Sequence, residues 1–379
     1  MPNACDVLAS QLGTGASGPL FLASYPTAEP GPLHDAAFLY DNAVAVVALV
    51  GCGRPDLARR IGDALLAALD RDRFWHDGRL RNGYAAGPVD AGPVKLAGWW
   101  DDAQNRWLED RYQAGSDVGN LAWAMLALLA LDRTGADPRY RTGAERIGQW
   151  VATQRDSRGD GGFTGGTFGH EPTPTLVRWK SVEHNTDLVA AFSRLAAVTN
   201  DPRWRDNAVV AQRFVEAMWD PQERAFAAGT GDDGVSRNPT LALDAQIWPL
   251  LALPGAVARF DAVLATVERR LGFQGGFAYG EPADGVWTEG TAQVAVLSRL
   301  RDDEAQAATL LATVAAQRTP DGGYYATSTA SIPTGFVLAT DPAKPRLYYH
   351  LPHLGALAWA ALAERGFNPF TLAVVQPAR

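Results

Sequence analysis

Cysteine is nearly absent from this chain: Cys5 and Cys52 are the only two in 379 residues. That number excludes a structural zinc cluster and a disulfide framework, and nothing in the sequence itself supports a single Cys5–Cys52 bridge. The 6 histidines show no metal-ligand spacing, so no metal and no cofactor is expected. Concentrated positive charge is also missing. The formal net charge is −8, and pairs such as Arg59-Arg60 and Arg269-Arg270 sit beside Asp and Glu on amphipathic faces, which argues against a nucleic-acid partner. No apolar run approaches the roughly 18 residues that a membrane span needs, and the start, Met1-Pro2-Asn3-Ala4, has no basic segment leading into an apolar one. Taken as written, the chain reads as cytoplasmic, unanchored to a membrane. A secreted or periplasmic protein whose signal had been removed would read the same way. The oligomeric state is left open.

With 47% hydrophobic and 20% charged residues, the chain has the means to bury a large core. Its dominant pattern is an Ala/Leu/Val-rich helical segment, then an amphipathic segment richer in Arg and Asp, then a glycine-rich loop. The apolar members fall at 35–51, 117–133, 183–198, 241–253, 288–300 and 347–364. The amphipathic members fall at 54–70, 137–155, 202–219, 256–271 and 303–317, with residues 3–12 as the candidate sixth, closing against the C-terminal helix. Asp137-Pro138 and Asp201-Pro202 mark helix starts. Gly161-Gly162-Phe163, Gly275-Gly276-Phe277 and Gly322-Gly323-Tyr324 recur after amphipathic helices, as expected of tight turns leading into short extended segments. No Pro/Ser-rich linker divides the chain, so one all-α domain over 1–379 is expected: a toroid of about six helical hairpins, with Gly/aromatic-rich loops at one end.

The starts of the apolar helices carry an unusual concentration of ionisable and amide groups. These are His34-Asp35 with Tyr40-Asp41-Asn42, then Ser116-Asp117 with Asn120, then Glu183-His184-Asn185 with Asp187. Further along come Asp244 with Gln246 and Trp248, Trp287-Thr288-Glu289 with Gln293, and Tyr348-Tyr349-His350 with His353. Acids favour first turns because they cap free N–H groups and complement the helix dipole, which explains Ser116-Asp117 and Thr288-Glu289 well. Capping does not explain Asn120, Asp187 and Gln293, a turn deeper in apolar helices. Burying them requires partners, so a polar cavity is implied.

Carboxylates with aromatics suit glycoside hydrolysis, in which one carboxylic acid protonates the leaving oxygen and a carboxylate activates water or attacks the anomeric carbon. Glu183 and Glu289 are the acid candidates, with Asp41 or Asp244 as base. Asp35, Tyr40, His184, Asn185, Asp187, Trp179, Trp248, Trp287, Gln293 and His350 are candidates for holding a carbohydrate substrate. Trp75, Trp99, Trp100, Tyr279 and Tyr324 also fall in loops or near these starts, although hydrophobic plugging accounts for most tryptophans.

The helix pairs, the Gly-Gly-aromatic loops and two segments, Leu33-His34-Asp35-Ala36-Ala37-Phe38-Leu39-Tyr40-Asp41-Asn42 and Ser181-Val182-Glu183-His184-Asn185-Thr186-Asp187, resemble the six-hairpin glycosidase superfamily. The resemblance spans nearly the whole chain as architecture. It implies an (α/α)6 barrel and hydrolysis of poly- or oligosaccharides in a central cleft. The His-Asp-x-x-Phe segment is faintly similar to a motif of unsaturated glucuronyl hydrolases, which singles out Asp35. Three other readings stand beside hydrolysis. A polysaccharide lyase would use Tyr40, His184, Asn185, Tyr349 or His350, with Arg178, Lys180 and Arg346 neutralising a uronate. A sugar epimerase or isomerase would use paired histidines, for which His350 and His353 are the local pair. A non-catalytic carbohydrate-binding toroid would need no convergent acids.

Overall fold

The computed structural model describes residues 2–13, 17–135, 137–338 and 341–375. Its helices in chain order are α1 (Ala4–Ser10), α2 (Leu39–Gly51), α3 (Pro55–Asp70), the single turn α4 (Arg111–Ala114), α5 (Val118–Asp132), α6 (Pro138–Ala152) and α7 (Val182–Thr199). After these come α8 (Pro202–Ala217), α9 (Leu243–Ala252), the short α10 (Ala256–Phe260), α11 (Ala262–Leu271), α12 (Thr288–Leu300), α13 (Glu304–Ala315) and α14 (Leu354–Arg365).

The apolar helices form a closed cycle of neighbours: α2 contacts α5, α5 contacts α7, α7 contacts α9, α9 contacts α12, α12 contacts α14, and α14 returns to α2. They are buried almost all round, as α5 shows: from Leu121 through Leu131 every side chain is shielded from solvent. A helix apolar on every face is stable only when enclosed, and here the amphipathic helices enclose it. Two of these begin with a side-chain cap and a proline: Asp137 accepts the Arg139 N–H and Asp201 the Arg203 N–H, with Pro138 and Pro202 in the first turn.

The sixth outer position is filled by α1, which packs on α14 and α2. It is stapled there by a Cys5–Cys52 disulfide, a bridge the sequence did not support. The cause is tertiary: ring closure brings the two ends of a 47-residue separation to a Cα–Cα distance of 5.8 Å.

Two expectations need correction. The last inner helix starts at Leu354 and not near 347, because Asp341–Tyr349 is a strand paired antiparallel with Ser331–Leu338. Among the described residues the mainly helical chain therefore carries one long hairpin, besides the short two- and three-stranded pieces in the loops. The outer helix expected at 256–271 is broken into α10 and α11 at Asp261.

The long segment between α3 and α5 is held by an ion network. Arg81, almost fully buried, pairs with Asp72 at 2.6 Å and Glu171 at 2.8 Å, while Arg73 pairs with Glu171 and with Glu109. Burial alone would raise the Glu171 pKa, but the two guanidiniums outweigh it and hold the group at about 2.

Candidate active site

A common register runs through the inner helices. The second residues are Tyr40 in α2, Gly119 in α5, Glu183 in α7, Asp244 in α9, Glu289 in α12 and Gly355 in α14. Residues two apart on a helix face nearly opposite ways, whereas residues four apart share a face. In four of the six helices the fourth residue accordingly turns to the loops. Asn42 binds the backbone of Leu22, Asn185 that of Phe163, Gln246 that of Phe226 and Thr291 that of Phe277. Asn185, expected on substrate, therefore has its amide committed: Oδ1 accepts the Phe163 N–H, and Nδ2 donates to the carbonyls of Phe163 and Ser181. At Phe163 and Phe277 the Gly-Gly-aromatic loop and the helix residue are two halves of one latch.

The sixth residues share the inward face of the second and lie beneath it: Val44, Trp123, Asp187, Trp248, Gln293 and Trp359. Trp123 meets Trp248 and Trp359 edge-on at 5.5 and 5.9 Å, and Phe370 from the C-terminal segment closes the cluster from below. Trp248 is thus part of the floor, under the acids. Asp187 is fully buried with neither carboxylate oxygen bonded, and both polar atoms of Gln293 are equally unpartnered. Burial, then the nearby Glu183 and Asp244, push Asp187 well above the usual carboxylate range.

Above this floor the acids form two groups. In the first, the Tyr40 hydroxyl donates to Glu289 Oε1 at 2.6 Å and receives the Trp359 indole N–H at 2.8 Å. His353 caps α14, its Nδ1 accepting the Ala356 N–H at 3.3 Å, which leaves Nε2 as the N–H facing Asp41 Oδ2 at 3.3 Å. Glu289 Oε2 lies 3.7 Å from the same ring, and Tyr25 stacks on it at 4.5 Å. Gly355 makes this convergence sterically feasible: a Cβ there would stand 2.7 Å from Glu289 Oε2 and 2.9 Å from Asp41 Oδ1. Burial lifts Glu289 to about 7, with His353 opposing and Asp41 assisting. Burial would lower His353, but Asp41 and Glu289 prevail and raise it.

In the second group, across the ring, Glu183 and Asp244 crowd each other. Burial and then Asp244 raise Glu183 well above its ordinary value, and burial brings Asp244 to about 6. Asp117 reaches about 7, again through burial. The long hairpin lowers Tyr348 and Arg346 into the mouth. Tyr348 packs on Trp287 and Tyr279 at 5.5 and 5.7 Å, and the Arg346 guanidinium lies 5.5 Å over the Tyr112 ring. Arg346 is exposed and Glu183 and Asp117 are half-buried, so water in the mouth moderates their mutual effects.

The structure thus brings together Tyr40, Asp41, Glu183, Asp187, Asp244, Glu289 and Gln293. His184 and Trp179 border the second group, with ring centres 5.5 Å apart, and burial takes His184 down to about 4. Trp287 lines the wall under Tyr348. Two expected residues lie elsewhere. Asp35 is exposed with its carboxylate 3.3 Å from His34, and His350 sits outside the cluster, its Nδ1 against the Thr327 carbonyl and its ring on Tyr325. Tyr25, Trp359 and Gly355 carried no signal in the sequence, and Arg346 was weighed only for a uronate. Two surface recesses, one of about 280 Å³ between Thr153 and Arg178 and one of about 300 Å³ beside Trp107, hold none of these acids. The convergent carboxylates, and not recess size, mark the candidate site. Among the described residues no group of His, Cys, Asp and Glu is arranged to hold a metal ion.

No family model matches the chain, and no curated protein matches it in sequence. Its fold is shared with solved structures of a glycosidase, a cellobiose 2-epimerase and a D-mannose isomerase. A cellobiose 2-epimerase from Spirochaeta thermophila superposes with a TM-score of 0.64 at 15% identity, covering 95% of this chain and 93% of that one. A D-mannose isomerase gives 0.63 at 10% identity over 96% and 95%. A glycosidase variant in complex with glucose gives 0.60 at 15% identity over 96% and 95%. At these identities the likeness is one of fold.

Proposed function

We propose that the chain is a glycoside hydrolase with an (α/α)6 barrel, acting on an oligo- or polysaccharide in the central cleft. The observation that carries this reading is the placement of Glu183, Asp244 and Glu289 at the same inward position of three inner helices, with Asp41 joining from a fourth. Glu289 is the general acid. Its Oε1 is held by Tyr40, its Oε2 carries the proton, and burial keeps that proton on the group near neutral pH. The ionised member of the Glu183/Asp244 pair is the base that activates water, since two crowded carboxylates resist ionising together. His353, set by Asp41, lies beside Glu289 Oε2 and meets the charge that appears when Glu289 gives up its proton.

Epimerisation is the second reading, favoured by one observation: His353 lies between two carboxylates under the stacked Tyr25 ring, as a proton-shuttling base would. It lacks the expected partner, because His350 is outside the cluster. The test is incubation of the purified chain with neutral and uronate-bearing oligosaccharides, following reducing ends, ultraviolet absorbance of unsaturated products and epimer composition. New reducing ends without unsaturation support hydrolysis; a new epimer without cleavage would move the role to His353. A Glu289→Gln variant that still cleaves a substrate with an activated leaving group, but not the natural glycan, would assign the acid.

A further inference from the structure

The hairpin formed by Trp99–Asp101 and Arg106–Leu108 has no role in the cleft as described. Its register sets Trp100 directly opposite Trp107, so both indoles project from the same face, with exposures of 54% and 57%. Among the described tryptophans only Trp100 and Trp107 are exposed, whereas Trp123, Trp248, Trp287 and Trp359 are buried. The platform is also built. Gly98 lets the Trp107 ring lie against the backbone, where a Cβ would stand 2.4 Å from its Nε1. The foot of the hairpin is fixed by Glu109, which takes both terminal nitrogens of Arg73 at 2.7 and 2.6 Å. A recess of about 300 Å³, lined by Arg73, Val94, Lys95, Leu96, Trp107 and Glu109, adjoins it.

Resting on the reading that the cleft acts on glycans, we infer that Trp100 and Trp107 form a stacking platform for sugar residues of the substrate chain distant from the cleaved bond. Flat indole faces match the C–H faces of pyranose rings, and Asp101, Gln104 and Arg106 surround them with hydrogen-bonding groups. The chain leads from the hairpin toward the cleft through α4. Four residues after Glu109 has been anchored, the chain has already passed Tyr112, whose ring lies under Arg346 and whose hydroxyl accepts from Asn120 at 3.2 Å. A protein partner fits poorly. Two half-exposed indoles offer no more than about 300 Å², well short of the roughly 800 Å² per side of a stable protein interface.

The test compares wild type, Trp100→Ala, Trp107→Ala and the double variant in affinity gels cast with soluble β-glucan, mannan or glucomannan, with Trp107→Tyr as the conservative control. The same gels are run in the Glu289→Gln background, so binding is read independently of turnover. Wild type is expected to be retarded by at least one glycan and the double variant to lose about tenfold in affinity, with Trp107→Tyr largely restoring it. On a cleaved glycan, KM rises by a similar factor while kcat holds. Equal retardation of wild type and double variant, or no retardation of wild type on any glycan, overturns the platform even if the cleft proves hydrolytic. A change in oligomeric state of the double variant on size exclusion would assign the face to a protein contact instead. Loss of retardation without any cleavage would keep the platform while removing the hydrolase reading.

Discussion

Replacing Glu289 by Gln should abolish turnover and at the same time stabilise the protein above neutral pH. The side chain keeps its size, and its Oε1 still accepts the Tyr40 hydroxyl, so packing is preserved. What changes is the cost of ionising a fully buried acid. The folded pKa, about 7, lies above the ordinary 4.5. The stability linked to this group is therefore fully present below pH 4.5 and is lost as pH rises from 4.5 through 7. At about 1.4 kcal/mol per pKa unit, the wild type forfeits about 3 kcal/mol across that window. His353 loses one of its two carboxylate neighbours in the variant and takes part of this back, leaving a gain of about 1–3 kcal/mol at pH 8. For a chain of this length that is about 1–4 °C in Tm. The assay is thermal unfolding of both proteins from pH 4 to 8, with glycan cleavage at each pH. The expected result is convergence of the two melting curves near pH 4, a more stable variant at pH 8, and activity only in the wild type. A variant less stable at pH 8, or one that still turns over the natural glycan, refutes the reasoning.

Activity of the wild type should fall on the alkaline side with an apparent pKa near 7, the value for Glu289, measured as kcat/KM against pH. Gly355→Ala should remove activity because the added methyl collides with Glu289 and Asp41; wild-type kinetics in that variant would show that the two carboxylates do not need this contact. Asn185→Ala leaves the Phe163 N–H and carbonyl unpaired, costing about 1–3 kcal/mol by denaturant unfolding, with the catalytic pH profile unmoved. Reduction of Cys5–Cys52, or Cys52→Ser, frees the 47-residue separation and should cost about 4 kcal/mol, read as a lower Tm, with thiol labelling of the native protein checking that the bridge is formed.

The repeat of apolar and amphipathic helices was legible in the sequence because period and capping are local properties. Asp137-Pro138 and Asp201-Pro202 start helices wherever they stand. The acids were legible too, since Asp41, Glu183, Asp244 and Glu289 interrupt segments that are otherwise apolar. Position along the chain, however, does not say which way a side chain faces. Asn185 and Glu183 are two residues apart, and only the helix orientation sends one to a loop carbonyl and the other to the axis. The strand Asp341–Tyr349 reads as helix in the sequence because the run around Tyr348-Tyr349-His350 joins an apolar stretch without a break. His353 gains its meaning from Asp41, 312 positions away, and the Cys5–Cys52 bridge from closure of the ring. Local periodicity thus determined the helices and the stock of acids. Closing the cycle of inner helices decided which acids meet, how far burial lifts their pKa values, and which polar residues instead hold the loops in place.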